Sequence, residues 1–505
     1  MKRFLAIFIL VCTSIFLSIG VPVLIHGNGT VEMEGQEGLV EQNITGFSFR
    51  RHTAVRIYQE GKLIGTLSSP SVLNHFLKET YEKEYEKDYP DSELNTGADV
   101  NVVKEETNIT YENADDAILS YLKKNHLFTL KCEAVEFADS TAVYDRIYVL
   151  KKSLFTESLH DFLCLFVSED ELKELKNDSV NTSLNSYGSV PVSLRIDQKI
   201  TYHTAYAPVN EVYTDKDAVF QYLCYGHDTK PVYDTVEGQD TLDGFAARQG
   251  LTREQLIRIN PDRLNENSTS VITGSSLCVT YLESPLTVTV VKHRLVNETE
   301  APALSYVVND AMAQDGESVL QEGEAGSENC LYEETWINGI LMKGTLISSY
   351  TVKEKTDEII AIKDDHTPLS GTGSWIMPVD HALILAGFED YADHEGIDLI
   401  NQYDRYGDVK AADTGTVAAV GYDETEGSYC VIDHHNGYYS HYGHLNNSAS
   451  VQVGDTVQRG QVIGQIGASG SAPGAMLLFY ITQDGSDTHL NACDGFMDCE
   501  AYQQE

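Results

Sequence analysis

The run of apolar and polar positions changes character several times along the chain. Phe4 to Ile25 is almost unbrokenly apolar behind Lys2 and Arg3, interrupted only by Cys12, Thr13, Ser14, Ser18, Gly20 and Pro22. A stretch of about 20 apolar residues spans a bilayer core, and a basic pair before it keeps the N-terminus cytoplasmic. Residues 1–27 are therefore expected to be an uncleaved single-pass anchor, with everything after it extracytoplasmic. A cleaved signal peptide, giving a secreted protein, is the alternative. Residues 28–195 read as a mixed α+β region. Arg56-Ile57-Tyr58 and Lys62 to Gly65 flank a Gly61 turn as a hairpin. Ser71 to Glu86 has helical periodicity and ends in a solvated charge run. A helix over Ala114–Lys124, strands over Leu130–Tyr148 and a helix near Leu154–Leu163 suggest small repeated αβ units, one irregular domain being the alternative. Residues 175–195, rich in Asn, Ser and Gly, read as a linker, and 196–231 as a connecting segment.

Residues 232–283 follow the order strand, helix, helix, strand. Val232 to Val236 is extended, Asp240 is placed to cap a helix through Arg248, and Gly250 ends it. Thr252-Arg253-Glu254-Gln255 is a capping box for the second helix, which Asn260-Pro261 stops. Residues 284–363 read as all-β: Leu286 to Val290 alternates, and Trp336-Ile337-Asn338-Gly339 marks a hairpin. Residues 370–485 carry short strands separated by Gly turns at even spacing, a compact β domain, and 486–505 form a tail.

Charge narrows the functions. Lys and Arg number 35 against 77 Asp and Glu, a formal net charge of −42. Nucleic-acid binding, which needs a basic stripe against phosphate, is excluded. Electrostatic docking on anionic lipid or anionic wall polymer is excluded likewise. Any polymer held is near neutral, or gripped by hydrogen bonds and stacking. Of nine cysteines, Cys12 lies in the apolar run and eight follow it. They permit disulfides in an exported region, yet they are scattered singly apart from Cys493 and Cys499, so reduced core thiols are an equal reading. No CxxC metal spacing occurs.

Two modules resemble known families. Asp240-Thr241-Leu242, Phe245-Ala246 and Asn260-Pro261 match the motif of the LysM module, which binds N-acetylglucosamine-containing glycans such as peptidoglycan. The resemblance implies that Asp240, Thr241, Leu242, Asn260 and Pro261 flank a sugar groove. Gln239 in place of the usual Gly and a lengthened loop over Arg263–Ser270 depart from it, and a packing module with a decayed groove is the alternative. Residues 284–363 resemble the five-glycine extracellular domain, an elongated spacer or adhesion module.

The last 130 or so residues carry the chemical question. Asp393-His394-Glu395-Gly396-Ile397-Asp398 and Tyr439-Ser440-His441-Tyr442-Gly443-His444-Leu445 resemble the LytM/lysostaphin-type zinc metallopeptidases, which cut peptide cross-links in bacterial walls. Such a site needs three protein ligands and an open position for water, whose pKa zinc lowers to about 7. The resemblance implies that His394 and Asp398 are ligands and that His444 is the catalytic histidine beside them. The family's closing Gly-x-His-x-His-Phe reads here Gly474-Ala475-Met476-Leu477-Leu478-Phe479. Residues i and i+2 of a strand share a face, so Met476 and Leu478 stand where two histidines belong, Leu478 at the third ligand position. Leu has no donor atom, and a thioether is a soft ligand that suits zinc poorly. No cofactor is expected, with zinc if another group rescues the site. His441, an odd step from His444, is expected to face away, His434 and His435 to lie at the surface, and His489 to lie beyond the last strand. A His394–Asp398 hydrogen bond or ion pair is expected to cap the cleft.

The expected protein is thus multidomain: membrane anchor, α+β region, LysM-like βααβ module, all-β five-glycine-type spacer and all-β peptidase-like domain. Its expected role is to hold peptidoglycan glycan strands or stem peptides, or a protein partner, as a scaffold or regulator without peptidase activity. An active zinc endopeptidase and a structural assembly component without glycan contact are the alternatives.

Overall fold

A computed structural model of the chain describes residues 23–25, 31–33, 38–177, 179–180, 184–265, 267–268, 270–311, 317–363, 370–484 and 486–503. The chain divides into two compact units, residues 1–159 with 198–220, and residues 160–197 with 221–505.

The membrane anchor needs correction. Among the described residues no helix is long and apolar enough to cross a membrane, so single-pass placement through residues 1–27 is not supported. Most of the apolar run lies outside the described residues, and its end, Val23–Ile25, is a strand paired antiparallel with Val31–Met33. β-branched Val23 and Ile25 favour extended backbone.

In the first unit, strands Ile44–Gln59 and Lys62–Leu67 form a hairpin across the Glu60–Gly61 turn. Helix Pro70–Thr80 follows, and strand Val100–Tyr111 returns beside Ile44–Gln59. The same order occurs again: hairpin Phe128–Ala138 with Val143–Val149, helix Lys152–Leu163, and strand Lys199–Pro208 returning beside Phe128–Ala138. In both, the first strand is central and the third pairs with it.

The second unit corrects the linker at 175–195. Gly188–Ile196 is an edge strand, not a linker, because Val190, Val192, Leu194 and Ile196 alternate beneath the Ser and Gly. Pro191, which cannot donate to a ladder, lies at a register shift on that edge. Within 196–231, read as a connecting segment, Lys199–Pro208 is the strand noted above and Lys216–Tyr225 is helical. The βααβ module has β1 (Tyr233–Thr235), α1 (Leu242–Arg248), α2 (Arg253–Ile259) and β2 (Ser276–Cys278), with β1 and β2 antiparallel. Thr241 caps α1 through the Gly244 N–H, and Thr252 with Gln255 forms the capping box of α2. The next strands are β3 (Val288–Glu300), β4 (Gly326–Ile337) and β5 (Ile340–Lys353), in a sheet of order β5–β4–β3 followed by Gly188–Ile196. The Asn338–Gly339 turn joins β4 to β5. Strand β6 (Glu358–Ile362) lies between Leu304–Val308 and Glu317–Gln321 in a second small sheet.

The C-terminal sheet comprises β7 (Ala382–Ala386), β8 (Ile397–Asn401), β9 (Gly415–Asp423), β10 (Gly427–Asp433), β11 (Tyr438–Leu445), β12 (Leu477–Gln483) and β13 (His489–Leu490). Its order is β7–β8–β12–β11–β10–β9, with Thr456–Val457 at the far edge and β13 on β12. One face buries Ile397, Leu399, Ile432, Tyr442, Phe479 and Ile481. The tail over 486–505 also belongs to this domain: Ala492, Met497 and Cys499 enter the same core, and Cys493 is bonded to Cys499. Cys132, Cys164, Cys224, Cys278, Cys330 and Cys430 are free thiols.

The β3–β6 segment and the C-terminal sheet are clamped together. The Arg459 guanidinium, 2% exposed, reaches Glu358 Oε2 of β6 at 2.9 Å, and the Glu358 side chain is 6% exposed. Arg459 also donates to the Ser374 and Pro302 carbonyls. Tyr403 donates to Glu334 Oε1 at 3.1 Å, and Arg294 to Gln402 Oε1 at 2.8 Å.

A covered metal-type site

Strand pairing assembles the residues singled out in the sequence. Asp398 on β8 is directly opposite Leu478 on β12, which is directly opposite Gly443 on β11. Directly opposed residues have Cβ atoms about 5 Å apart on one face, so position 478 does stand beside Asp398. His394 enters from the turn before β8, behind Asp393 in the left-handed region (φ 60°).

His394, Asp398 and His444 are 5%, 1% and 6% exposed. His394 Nε2 has no hydrogen-bond partner. Asp398 Oδ2 accepts from the Tyr391 hydroxyl at 3.0 Å, and Asp398 Oδ1 has no partner. Burial pushes the Asp398 carboxyl up to about 7, against the Tyr391 hydrogen bond, which favours the anion. Burial, then nearby His444, pushes His394 down to about 4. The expected His394–Asp398 contact is present at ion-pair distance, though not as a hydrogen bond. Nε2 and Oδ2 are 3.7 Å apart, beyond hydrogen-bond reach, and burial favours the neutral form of each. The hydrogen bond to Asp398 comes from Tyr391, which also stacks on His394 with ring centroids 4.2 Å apart. Nothing in the spacing marked Tyr391; an aromatic three residues before His394 was the only signal.

His444 donates from Nδ1 to the Ser469 carbonyl at 2.9 Å, and its backbone is left-handed (φ 62°). That turn breaks strand alternation, and the parity argument for His441 fails with it. His441 pairs with Tyr480 in the register that carries Gly443 and Leu478, stacks on the Tyr480 ring at 4.3 Å, and so shares the Leu478 face. His489 stacks on the same Tyr480 ring at 3.9 Å from β13, not from a distant loop. His434 is fully buried, not superficial, with Nδ1 2.7 Å from the Thr414 carbonyl and Nε2 2.7 Å from Ser440 Oγ. His435 is exposed, as expected.

The residues present do not fit a three-ligand zinc site. His394 Nε2 and Asp398 Oδ1 are two buried, unpartnered donors, but the position opposite Asp398 is a hydrocarbon. Among the described residues no three His, Cys, Asp or Glu side chains are grouped to hold a metal ion. Met476 is not in the cleft as a donor either. It is buried in an apolar cluster with Ala247, Leu385 and Ala386.

Ala247 belongs to α1, and α1 lies over this end of the sheet. The Thr241 N–H donates to the Asp390 carbonyl at 2.9 Å. Gly244 approaches so closely that a Cβ there would fall 2.2 Å from Asp390 O. Tyr391 packs against the cluster that includes Ala247 of α1 and stacks on His394. The residues likened to a sugar groove have internal partners. Asp240 Oδ2 accepts from Arg248 at 2.7 Å and from the Glu237 N–H, and its side chain is 1% exposed. Leu242 is core, and the Asn260 amide bonds Leu256 and Cys278 backbone groups. Pro261 is exposed. Gly244→Ala is expected to unseat α1, at the 1–3 kcal/mol or so typical of overpacking. Hydrogen exchange of the 241–248 amides should accelerate, and unchanged protection would mean that the contact with Asp390 holds nothing.

The family model for Peptidase family M23 matches residues 392–490, and that for the G5 domain matches 291–362. These matches do not extend to 232–283, so the LysM resemblance rests on the βααβ order and the quoted motif alone. Among solved structures, the SpoIIQ–SpoIIIAH pore forming complex is similar at 27% identity over 25% of this chain and 90% of that chain, with a TM-score of 0.22. The catalytic domain of the prophage-encoded M23 protein EnpA from Enterococcus faecalis is similar at 25% identity over 25% and 92%, TM-score 0.18. Lysostaphin from Staphylococcus simulans is similar at 23% identity over 23% and 49%, TM-score 0.21. The chain is therefore a multidomain, mostly β protein that contains a G5 domain and a Peptidase family M23 domain of the LytM/lysostaphin type.

Proposed function

We propose that this protein is a cell-wall-associated binding or scaffolding protein whose M23 domain no longer hydrolyses peptide bonds. One observation carries the reading: the residue opposite Asp398, where the third ligand belongs, is Leu478. Burial of His394, Asp398 and His444 beneath Tyr391 and α1 supports it, since a scissile peptide needs access to those groups. The ligand class is peptidoglycan, through its glycan strands or stem peptides, or a protein partner held on the same domains. The βααβ module serves, in this reading, at least as much to seat the M23 domain as to hold sugar.

The test is zinc content together with behaviour on purified sacculi. The full chain, dialysed and analysed by mass spectrometry, is expected to hold well under one zinc per molecule, to sediment with sacculi and to leave them intact. Stoichiometric zinc with lysis abolished by chelator would establish the endopeptidase instead. That reading draws on the two unpartnered donors His394 Nε2 and Asp398 Oδ1. Failure to sediment would leave an assembly component that makes no contact with the wall.

A further inference from the structure

A pocket of about 590 Å³ opens where the βααβ module, the G5 domain and the M23 domain meet. Sites for small ligands fall between about 300 and 1,000 Å³. His394, Asp398, His444 and Leu478 do not line it, so it is distinct from the metal-type site, although Met476 contributes to one wall. Leu383, Leu385 and Ile400 make the pocket partly apolar.

Its polar groups divide unequally into those already committed and those still available. Glu334 is the buried carboxylate of the wall, and it is saturated: Trp336 Nε1 donates to Oε2 at 3.0 Å, Tyr403 to Oε1 at 3.1 Å, and Arg294 lies 3.7 Å away. Glu254 is 54% exposed and lies 3.7 Å from the Arg258 guanidinium, so it sits at the rim with a cation beside it. Gln255 uses its oxygen on the Thr252 N–H, and Asn401 uses its oxygen on the Tyr403 and Asp404 N–H groups. Each amide therefore has its NH₂ left over. Lys292 lies over the Trp336 ring at 5.0 Å and Arg405 over the Tyr406 ring at 5.6 Å. Neither cation has a carboxylate within ion-pair distance among the described residues, in a chain of net charge −42. The groups left for a ligand are thus donors: two amides, an ammonium and a guanidinium.

Such a pocket selects an acceptor-rich, negatively charged ligand with an apolar body. We propose that it binds a short peptide bearing free carboxylates, the chemistry of the wall stem peptide, with the carboxylate on Lys292 and Arg405 and the chain against the Leu383–Ile400 wall. Arg suits carboxylate by its planar fork and Lys by its point charge. The acidity of the whole chain does not prevent this, because distant surface charges are screened over about 8 Å at physiological ionic strength, whereas these donors would touch the ligand. The choice of stem peptide as the source rests on the wall-binding reading; the donor-lined pocket does not.

The experiment uses the full chain, with Trp336 fluorescence as the readout in a Trp375→Phe background, and isothermal titration as a second measure. The probes are synthetic L-Ala–γ-D-Glu–L-Lys–D-Ala–D-Ala, the same peptide with its carboxylates amidated, and an unrelated acidic tetrapeptide. The stem peptide should bind, and amidation should weaken it about tenfold or more. Lys292→Gln and Arg405→Gln, on different elements, should each do the same while leaving the melting temperature unchanged. Equal binding of the amidated peptide, indifference to both substitutions, or no binding of any acidic peptide overturns the proposal. If sacculi sediment but no peptide binds, the pocket falls and the wall reading stands. If the acidic peptides bind but sacculi do not sediment, the pocket stands with a protein segment as its source, and the wall reading falls.

Discussion

Leu478→His is expected to complete a three-ligand zinc site with His394 and Asp398 in the M23 domain. The new imidazole would start directly opposite Asp398, next to two donors, His394 Nε2 and Asp398 Oδ1, that have no partner now. The imidazole would occupy the space that the Leu478 side chain now fills against Gly396, where a Cβ would fall 2.7 Å from Leu478 Cδ1. Loss of a mere supporting contact costs about 10–100-fold in metal affinity, so gain of a ligand should raise zinc affinity by more than about 100-fold. Competition against a chromophoric chelator measures this, and X-ray absorption should find nitrogen near 2.0–2.1 Å or so from the metal. Asp398→Asn in the same background should abolish the gain. Hydrolysis of sacculi is not expected to follow, because Tyr391 and α1 still cover the site. Full zinc in the native chain, or none in the variant, would show that Leu478 is not the reason for the difference from active relatives.

Arg459→Ala should be the most damaging single substitution at the joint between the G5 and M23 domains. It strands Glu358 without its cation inside the protein, and breaking a buried pair from one side costs about 3–5 kcal/mol. Loss of the bonds to the Ser374 and Pro302 carbonyls adds to this. Replacing both partners, Arg459→Met with Glu358→Leu, should recover most of the loss, because no charge is then left buried. Urea unfolding followed by tryptophan fluorescence separates the cases, with Trp336 reporting the G5 side and Trp375 the M23 side. A loss under about 1 kcal/mol for Arg459→Ala would mean that water reaches Glu358 freely.

Local chemistry was legible in the sequence wherever it is set within a few residues. The Asn338–Gly339 hairpin, the Thr252–Gln255 capping box and the Gly-rich frame around Met476 and Leu478 could all be read directly, because turns, caps and strand faces depend on neighbours. What could not be read depended on distant partners. Gly188–Ile196 looks like a linker by composition and becomes a strand because β3 offers it an edge. His441 was turned the wrong way because alternation assumes an unbroken strand, and His444 adopts a left-handed backbone. His434 looked superficial beside a turn, yet Thr414 and Ser440 satisfy it in the core. Asp398 does lie near His394, its neighbour in the motif, but its hydrogen bond comes from Tyr391, which the motif spacing does not mark.

The seat of α1 has a historical consequence. A hydrolase that loses one ligand can regain it by a single codon change for as long as its groove stays open. Here Met476 has joined the cluster that receives Ala247, and Gly244 fits against Asp390 too tightly for any larger residue. On the proposed reading, hydrolysis would require an imidazole at position 478 and the release of a docked helix together, and neither step alone would suffice. On the proposed reading, the seat of α1 would leave selection room to refine this domain only as a holder.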